Sequence, residues 1–311
     1  MARILKSTKD MPREEWLELR RQSIGGSDAA SVVGLNLWRS AFTLYYDKKG
    51  SLPEKEDNEK MRIGRDLEAY VAERFCEATD KKVRRRNAMF LHDKYDFISA
   101  NIDREVVGEK AGLECKTTSA FTKSDFAGGQ IPLYYYCQCM HYMAVMGYEK
   151  MYLAVLVLGQ AFYWFEIERN EAEIESLINA EVDFWQNYVL TNTPPPVDGS
   201  DSTSQTLAEI YETSNEGCTL FGYEDDAKAY IDIGRKIKEL KELQEQHKNA
   251  LLAEMEGKVK ADLNGYEVTN KPTSRSSIDS KKLKAEMPEI YEKYLKTTEN
   301  ARFTIKEVEA E

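Results

Sequence analysis

Residues 98–118, ISANIDREVVGEKAGLECKTT, constrain this chain more tightly than any other stretch. They read as two short strands joined by a turn that Gly108 and Gly112 bracket. The first strand delivers Asp103 near its end. In the second, Glu114 and Lys116 stand two apart, so strand alternation points both to one face. Leu113 and Cys115 then point to the other face, where a core needs them. Two acids and an ammonium on one patch stabilise a sheet poorly, and burial discourages three charges unless they are paired or bind metal. The same set suits a hard divalent cation and a water oriented beside a phosphate. The competing reading is a surface hairpin with a weak Glu–Lys pair. The apolar or small neighbours Ile98, Ala100, Ile102, Leu113 and Cys115 favour strands buried on a face.

At 311 residues the chain has room for one sizeable domain and a smaller one, and its 42% hydrophobic and 31% charged residues describe an ordinary soluble protein. No apolar run is long enough to span a bilayer, and the start, MARILKSTKDMPREEW, has no apolar signal core, so a cytoplasmic protein is expected. Five cysteines (Cys76, Cys115, Cys137, Cys139, Cys218) lack a framework or CxxC spacing, which argues for reduced packing thiols. A net charge of −11 disfavours a protein that coats DNA nonspecifically, while leaving room for an enzyme with a local cationic lining.

Along the chain, 12–23 reads as a helix carrying Trp16, Arg20 and Arg21. IGGSDAASVVG follows, with Ser27 and Asp28 as N-cap residues and free N–H groups that could meet an anion. A short helix over 41–50 and a periodic one through Leu67, Val71 and Phe75 come next. Glu68, one residue past Leu67, is free to face solvent or the hairpin. KKVRRR at 81–86 is the densest basic run and a candidate contact to a nucleic-acid backbone. LYYYCQCMHYMAVMG reads as a helix closed by Gly147, followed by strands about Gly159–Gln160 and a helix at 171–190 capped and boxed by Asn170 and Glu173. The element order gives an α/β or α+β sandwich of about 190 residues. Residues 191–206 read as a Pro/Ser-rich linker without structure, and 207–311 as charged helices followed by a small strand-and-helix tail ending in ARFTIKEV.

The acid–acid–lysine hairpin resembles the core of the restriction-endonuclease-like nucleases. Five motifs in order, GGSDAASVVGLN…RS (25–40), IGRDLEAY (63–70), NID (101–103), LECKT (113–117) and QCMHYMAVMG (138–147), resemble those of the YqaJ-type viral recombinases, relatives of phage lambda exonuclease. The likeness runs from about residue 16 to 190, and YEKYLKTTENARFTIKE resembles the C-terminal extensions of many YqaJ proteins. It implies a mixed central sheet flanked by helices, with a helical and small α+β extension. It implies a 5′→3′ exonuclease on duplex DNA ends that releases mononucleotides and leaves a 3′ single strand for recombination by annealing.

Residue by residue, the resemblance makes Asp103, Glu114 and the main-chain carbonyl of Cys115 the inner shell of Mg²⁺, with Mn²⁺ able to substitute. Glu68 would help hold a second ion. Lys116 matches the lysine that orients or deprotonates the attacking water, and its pKa is expected to be lowered near the metals. Gln138 matches a glutamine that positions that water or Lys116. Arg20 and Ser27 match residues that receive a terminal 5′-phosphate, and Trp16 an aromatic residue at the DNA end. Relatives often carry a second glutamine where this chain has Met140. The family further implies a homotrimeric ring, a single-strand annealing partner and no membrane. The rival readings are an endonuclease on the same fold and a non-catalytic DNA-end-binding protein.

Overall fold

The structure is a computed structural model that describes residues 2–54, 57–211, 216–297 and 302–306. Two compact units divide the chain, Met1–Glu212 and Thr213–Glu311.

The first unit is built on a five-stranded sheet of order β2-β5-β6-β7-β8, with β2 Val83–Arg84, β5 Arg104–Val106, β6 Ala111–Thr118, β7 Lys150–Val157 and β8 Ala161–Glu168. β6 and β7 are parallel and the other pairs antiparallel. The parallel pair is bridged by α5 (Leu133–Met146), as a crossover requires. Alternation along β7 sorts the two faces. Met151, Leu153, Val155 and Val157 share a cluster with Cys139, Met140 and Met143 of α5. Tyr152 and Ala154 pack with Val71 and Phe75 of α4 (Glu59–Thr79). Leu113 joins the α4 side, so Glu114 and Lys116, one residue out of phase, face α5. α6 (Glu171–Phe184) lies beside α5 and continues as a π-helical turn, Trp185–Val189.

A second, three-stranded sheet, β1-β3-β4, is formed by β1 Arg3–Ser7, β3 Ala88–Leu91 and β4 Ser99–Ala100. Its third strand corrects the expected hairpin: 98–107 is not one strand. The backbone at Ile98 and Ser99 pairs with Ile24, and β4 with β3, so the chain crosses between sheets before β5 begins. Asp103 sits in that crossing. The register Arg104–Leu113, continued by one residue, sets it beside Glu114.

Helices α1 (Arg13–Arg21), α2 (Gly26–Val32) and α3 (Ala41–Lys48) lead into this frame. A further correction falls on 191–206, where the chain is helical from Asp201, as α7 (Asp201–Ile210). Ser200 caps α7 by accepting from the Thr203 amide. Thr203 Oγ1 donates to Ser40 Oγ at 2.8 Å, and Thr43 Oγ1 lies 2.7 Å from Ser202 Oγ and 2.8 Å from Thr206 Oγ1. The hydroxyl residues that read as linker composition are therefore a cap and an interhelical seam. Asn170 caps α6 as expected, but the Glu173 carboxylate accepts from the Tyr136 hydroxyl, 2.7 Å away.

In the second unit, α8 (Glu224–Met255) precedes a hairpin of β9 (Lys260–Leu263) and β10 (Tyr266–Thr269), then α9 (Ser280–Glu286) and α10 (Pro288–Tyr294). Of the ARFTIKEV end of the tail, residues 302–306 are neither helix nor strand, and the others lie outside those described. Among the described residues no helix is long and apolar enough to cross a membrane.

Candidate active site

Glu114 is the centre of the site. It is 4% exposed, and its Oε1 accepts two hydrogen bonds of 2.6 Å, from Lys116 Nζ and from Gln138 Nε2. Its Oε2 is buried with no hydrogen-bond partner. A buried carboxylate oxygen left bare costs free energy, so it marks a place where a cation or donor belongs. Asp103 stands alongside, its Oδ2 accepting from the Cys115 amide at 2.8 Å. Burial, and then the charge on Glu114, hold the Asp103 carboxyl well above the usual carboxylate range.

Lys116 is bound to the same carboxylate pair. Burial works to discharge its ammonium, but the carboxylates of Glu114 and Asp103 outweigh that and raise its pKa. It also lies 5.3 Å from the Tyr135 ring centre. The side chain is therefore held as a cation by the two carboxylates.

Glu68 does face the hairpin, but Arg104 claims it: Arg104 Nη1 donates to Glu68 Oε1 at 2.5 Å and to the Asp103 carbonyl at 2.7 Å. Arg85 approaches the same oxygen at 3.6 Å. Among the described residues no group of three or more His, Cys, Asp or Glu side chains is gathered as a metal cage. The Glu68 carboxylate is thus held by a guanidinium that is itself 6% exposed. Two acidic side chains with a main-chain carbonyl still suit Mg²⁺, which keeps several waters and needs few protein ligands.

The basic run also finds local partners. Arg84 and Arg86 pair with Glu105, and Lys81 with Glu109.

Trp16, Arg20 and Ser27 come together near the junction of α1 and α2. Arg20 Nη2 donates to Ser27 Oγ at 2.7 Å, and its guanidinium lies 4.7 Å from the Trp16 ring centre. Ser27 and Asp28 are not the N-cap: that residue is Gly25, whose amide donates to Asp28 Oδ2 at 3.0 Å. One N–H expected to be free is thereby taken. Asp28, 1% exposed, also receives Lys48 and Arg39. Burial alone would raise its pKa, but Lys48, Arg39 and Arg20 carry it well below the usual range.

Tyr142 joins this corner to Glu114. Its ring packs so closely on Gly26 that an added Cβ would lie 2.5 Å from Cε1. Its hydroxyl accepts from Gln138 Nε2 at 3.0 Å and donates to the Asn101 carbonyl at 3.2 Å. Met140, at the position of the second motif glutamine, is 2% exposed in the core and offers no polar contact.

Sequence reasoning missed Arg104, Lys48, Arg39 and Tyr142 as members of these networks. Arg104 adjoins Asp103 and Arg39 lay inside a quoted motif, which were available signals. Lys48 had none.

A mixed sheet with helices on both faces and an acid, an acid and a lysine at β5–β6 defines a restriction-endonuclease-like core. The family model of the YqaJ-like viral recombinase domain matches residues 15–149, which include every residue of this site. Over 313 residues the chain is 40% identical to the uncharacterized protein YqaJ of Bacillus subtilis (strain 168), covering 99% of this chain and 98% of that protein. The chain belongs to the YqaJ-like viral recombinase family. Among solved structures it is similar to LHK-Exo in complex with dAMP, with a TM-score of 0.51 and 19% identity over 58% of this chain and 93% of the other. The same alkaline exonuclease, from Laribacter hongkongensis, is also matched without that ligand named, with a TM-score of 0.49, 19% identity and the same coverage. The likeness to the dAMP complex is one of fold.

Proposed function

We propose that this protein is a divalent-metal-dependent exonuclease that degrades linear duplex DNA from its 5′ ends and leaves 3′ single strands for annealing. The observation that carries the reading is Glu114: one oxygen held by Lys116 and Gln138, the other buried and bare beside Asp103. Asp103, Glu114 and the Cys115 carbonyl would hold Mg²⁺, or Mn²⁺ in its place, and Glu68 would contribute to a second ion once released from Arg104. The ions would supply charge neutralisation at the phosphate and a bound water of lowered pKa.

The chain's own residues do the rest. Lys116, kept charged between two carboxylates, orients the attacking water and offsets the negative charge that grows on the phosphoryl oxygens. Gln138 fixes the Glu114 oxygen that Lys116 shares, which keeps the bare oxygen aimed at one place. The water's oxygen bonds to phosphorus as the bond to the leaving 3′-oxygen breaks; the proton of the water passes to solvent, and the 3′-oxygen takes a proton from solvent to leave as a hydroxyl. Arg20 and Ser27 receive the terminal 5′-phosphate, with Trp16 against the end. The reading includes a ring-shaped homotrimer and a single-strand annealing partner.

The test is a time course on end-labelled linear duplex carrying 5′-phosphate or 5′-hydroxyl, with and without Mg²⁺, beside covalently closed circular DNA. The expected outcome is Mg²⁺-dependent release of mononucleotides from the 5′ end with the circle intact. Cleavage of the circle would instead make the protein an endonuclease.

A further inference from the structure

Asp28 and Lys48 form a buried ion pair that touches neither solvent nor the catalytic carboxylates. Their side chains are 1% and 2% exposed, with Lys48 Nζ 2.6 Å from Asp28 Oδ2. Lys48 also donates to the main-chain carbonyl of Arg20 at 2.7 Å, which ties the end of α1 to the end of α3. The other Asp28 oxygen takes Arg39 Nη2 and faces Arg20 Nη2 at 3.6 Å. Arg39 reaches further, to the Ser27 carbonyl at 3.1 Å and to Asp47 at 3.3 Å. Three cations thus converge on one buried carboxylate. Even with Asp47 counted, the cluster keeps a surplus positive charge.

Such a surplus is unfavourable in a desolvated corner unless it serves an anion. Only the arginines can meet one: Arg20 and Arg39 are 30% and 18% exposed, whereas Asp28 and Lys48 are shut in. An arginine left to itself samples many rotamers, and a guanidinium gives its directional hydrogen bonds to a phosphate only when its plane is fixed. Asp28 supplies that fixing for two guanidinia at once, and Lys48 holds the carboxylate and the Arg20 backbone in register.

We propose that the Asp28–Lys48 pair is the positioning element of the terminal-phosphate pocket: it orients Arg20 and Arg39 from behind and makes the protein favour 5′-phosphorylated over 5′-hydroxyl ends. This rests on the reading of Arg20 and Ser27 as that pocket.

The full-length chain is assayed on one linear duplex with either 5′ end, and kcat and KM are measured for each. The proteins are wild type, Arg20→Ala, Asp28→Asn, and the double variant Asp28→Asn/Lys48→Met. The double variant removes both charges together, so no buried ion is left unpaired, and such neutral replacements of buried pairs are commonly tolerated. The wild type is expected to favour the phosphorylated end. In both Asp28 variants the ratio of kcat/KM on phosphorylated to hydroxyl ends falls by about tenfold or more, through KM, as for the loss of a charge-assisted hydrogen bond. A wild type without preference would overturn the pocket itself. A preference lost in Arg20→Ala but kept in a folded double variant would overturn the role of the pair alone. A double variant that fails to fold by circular dichroism would also overturn it, by making the pair a folding element.

Discussion

Asp103 and Glu114 are neighbouring carboxylates that raise the cost of ionising Asp103. The Asp103 carboxyl is half-buried, and burial and Glu114 raise its pKa. An acid with a raised folded pKa binds its proton more tightly in the native state than when unfolded. Its contribution to stability therefore declines as pH rises from about 3.9, the unfolded value, through the folded one. At neutral pH the group therefore destabilises the metal-free protein relative to acid pH. Asp103→Asn is thus expected to raise the melting temperature at pH 7 by about 2 °C or more, a shift worth ~1 kcal/mol in a chain of this size. The advantage should shrink toward pH 4, while nuclease activity is lost, as a pH series of thermal melts would show. Glu114→Gln and Lys116→Ala act on rate: each is expected to lower cleavage of linear duplex by at least ~10²-fold, the scale of removing one preorganised charge partner. DNA retention in a native gel should survive.

Between α2, α5 and α6, contacts are set by a small residue and by a buried ion pair. Gly26 lets α2 lie against the Tyr142 ring, which is rigid and buried, so Gly26→Ala must push apart α2 and α5. The expected cost is ~1–3 kcal/mol in chemical denaturation, with a loss of activity because Tyr142 holds Gln138. Gly112→Ala should cost less, since its closest contact is the flexible thioether sulfur of Met151 at 2.6 Å, with the Tyr148 ring at 3.0 Å having to give by only a few tenths of an ångström. His141 of α5 meets Glu181 of α6 through Nδ1 and the Ser99 carbonyl of β4 through Nε2, each at 2.8 Å. A carboxylate and a carbonyl both accept, so the ring satisfies both as an imidazolium. Burial opposes that charge, but Glu181 outweighs it and the pKa is raised. Stability from this group is full below about pH 6.5 and is lost as pH rises through the folded value. Thermal melts from pH 6 to 9 should show that decline, and Glu181→Gln should flatten it.

At the scale of the whole chain, the site lies entirely within the unit Met1–Glu212. A protein ending at residue 212 is expected to fold and to keep the cleavage activity assayed on linear duplex. One ending at 190 should melt at lower temperature, because Thr203 and Thr206, 1% and 2% exposed, would no longer bond Ser40 and Thr43. Loss of two such buried hydrogen bonds costs ~2 kcal/mol. A 190-residue protein as stable as the longer one would remove α7 from the folded unit.

Local rules carried part of this protein into its sequence. Strand alternation alone sends Glu114 and Lys116 to one face and Leu113 to the other, and a glycine at 147 with positive φ closes α5. Those features depend on neighbours a few residues apart, where geometry is fixed by the backbone. Alternation puts Asp103 near the end of a strand, whereas it lies in the crossing between β4 and β5, because pairing with Ile24 and β3 bends the chain between two sheets. The hold of Arg104 on Glu68, the raised pKa of Lys116 and the cations around Asp28 depend on partners brought from separate helices and strands. Charges compete for one another through space, and only the packed arrangement decides which of them win.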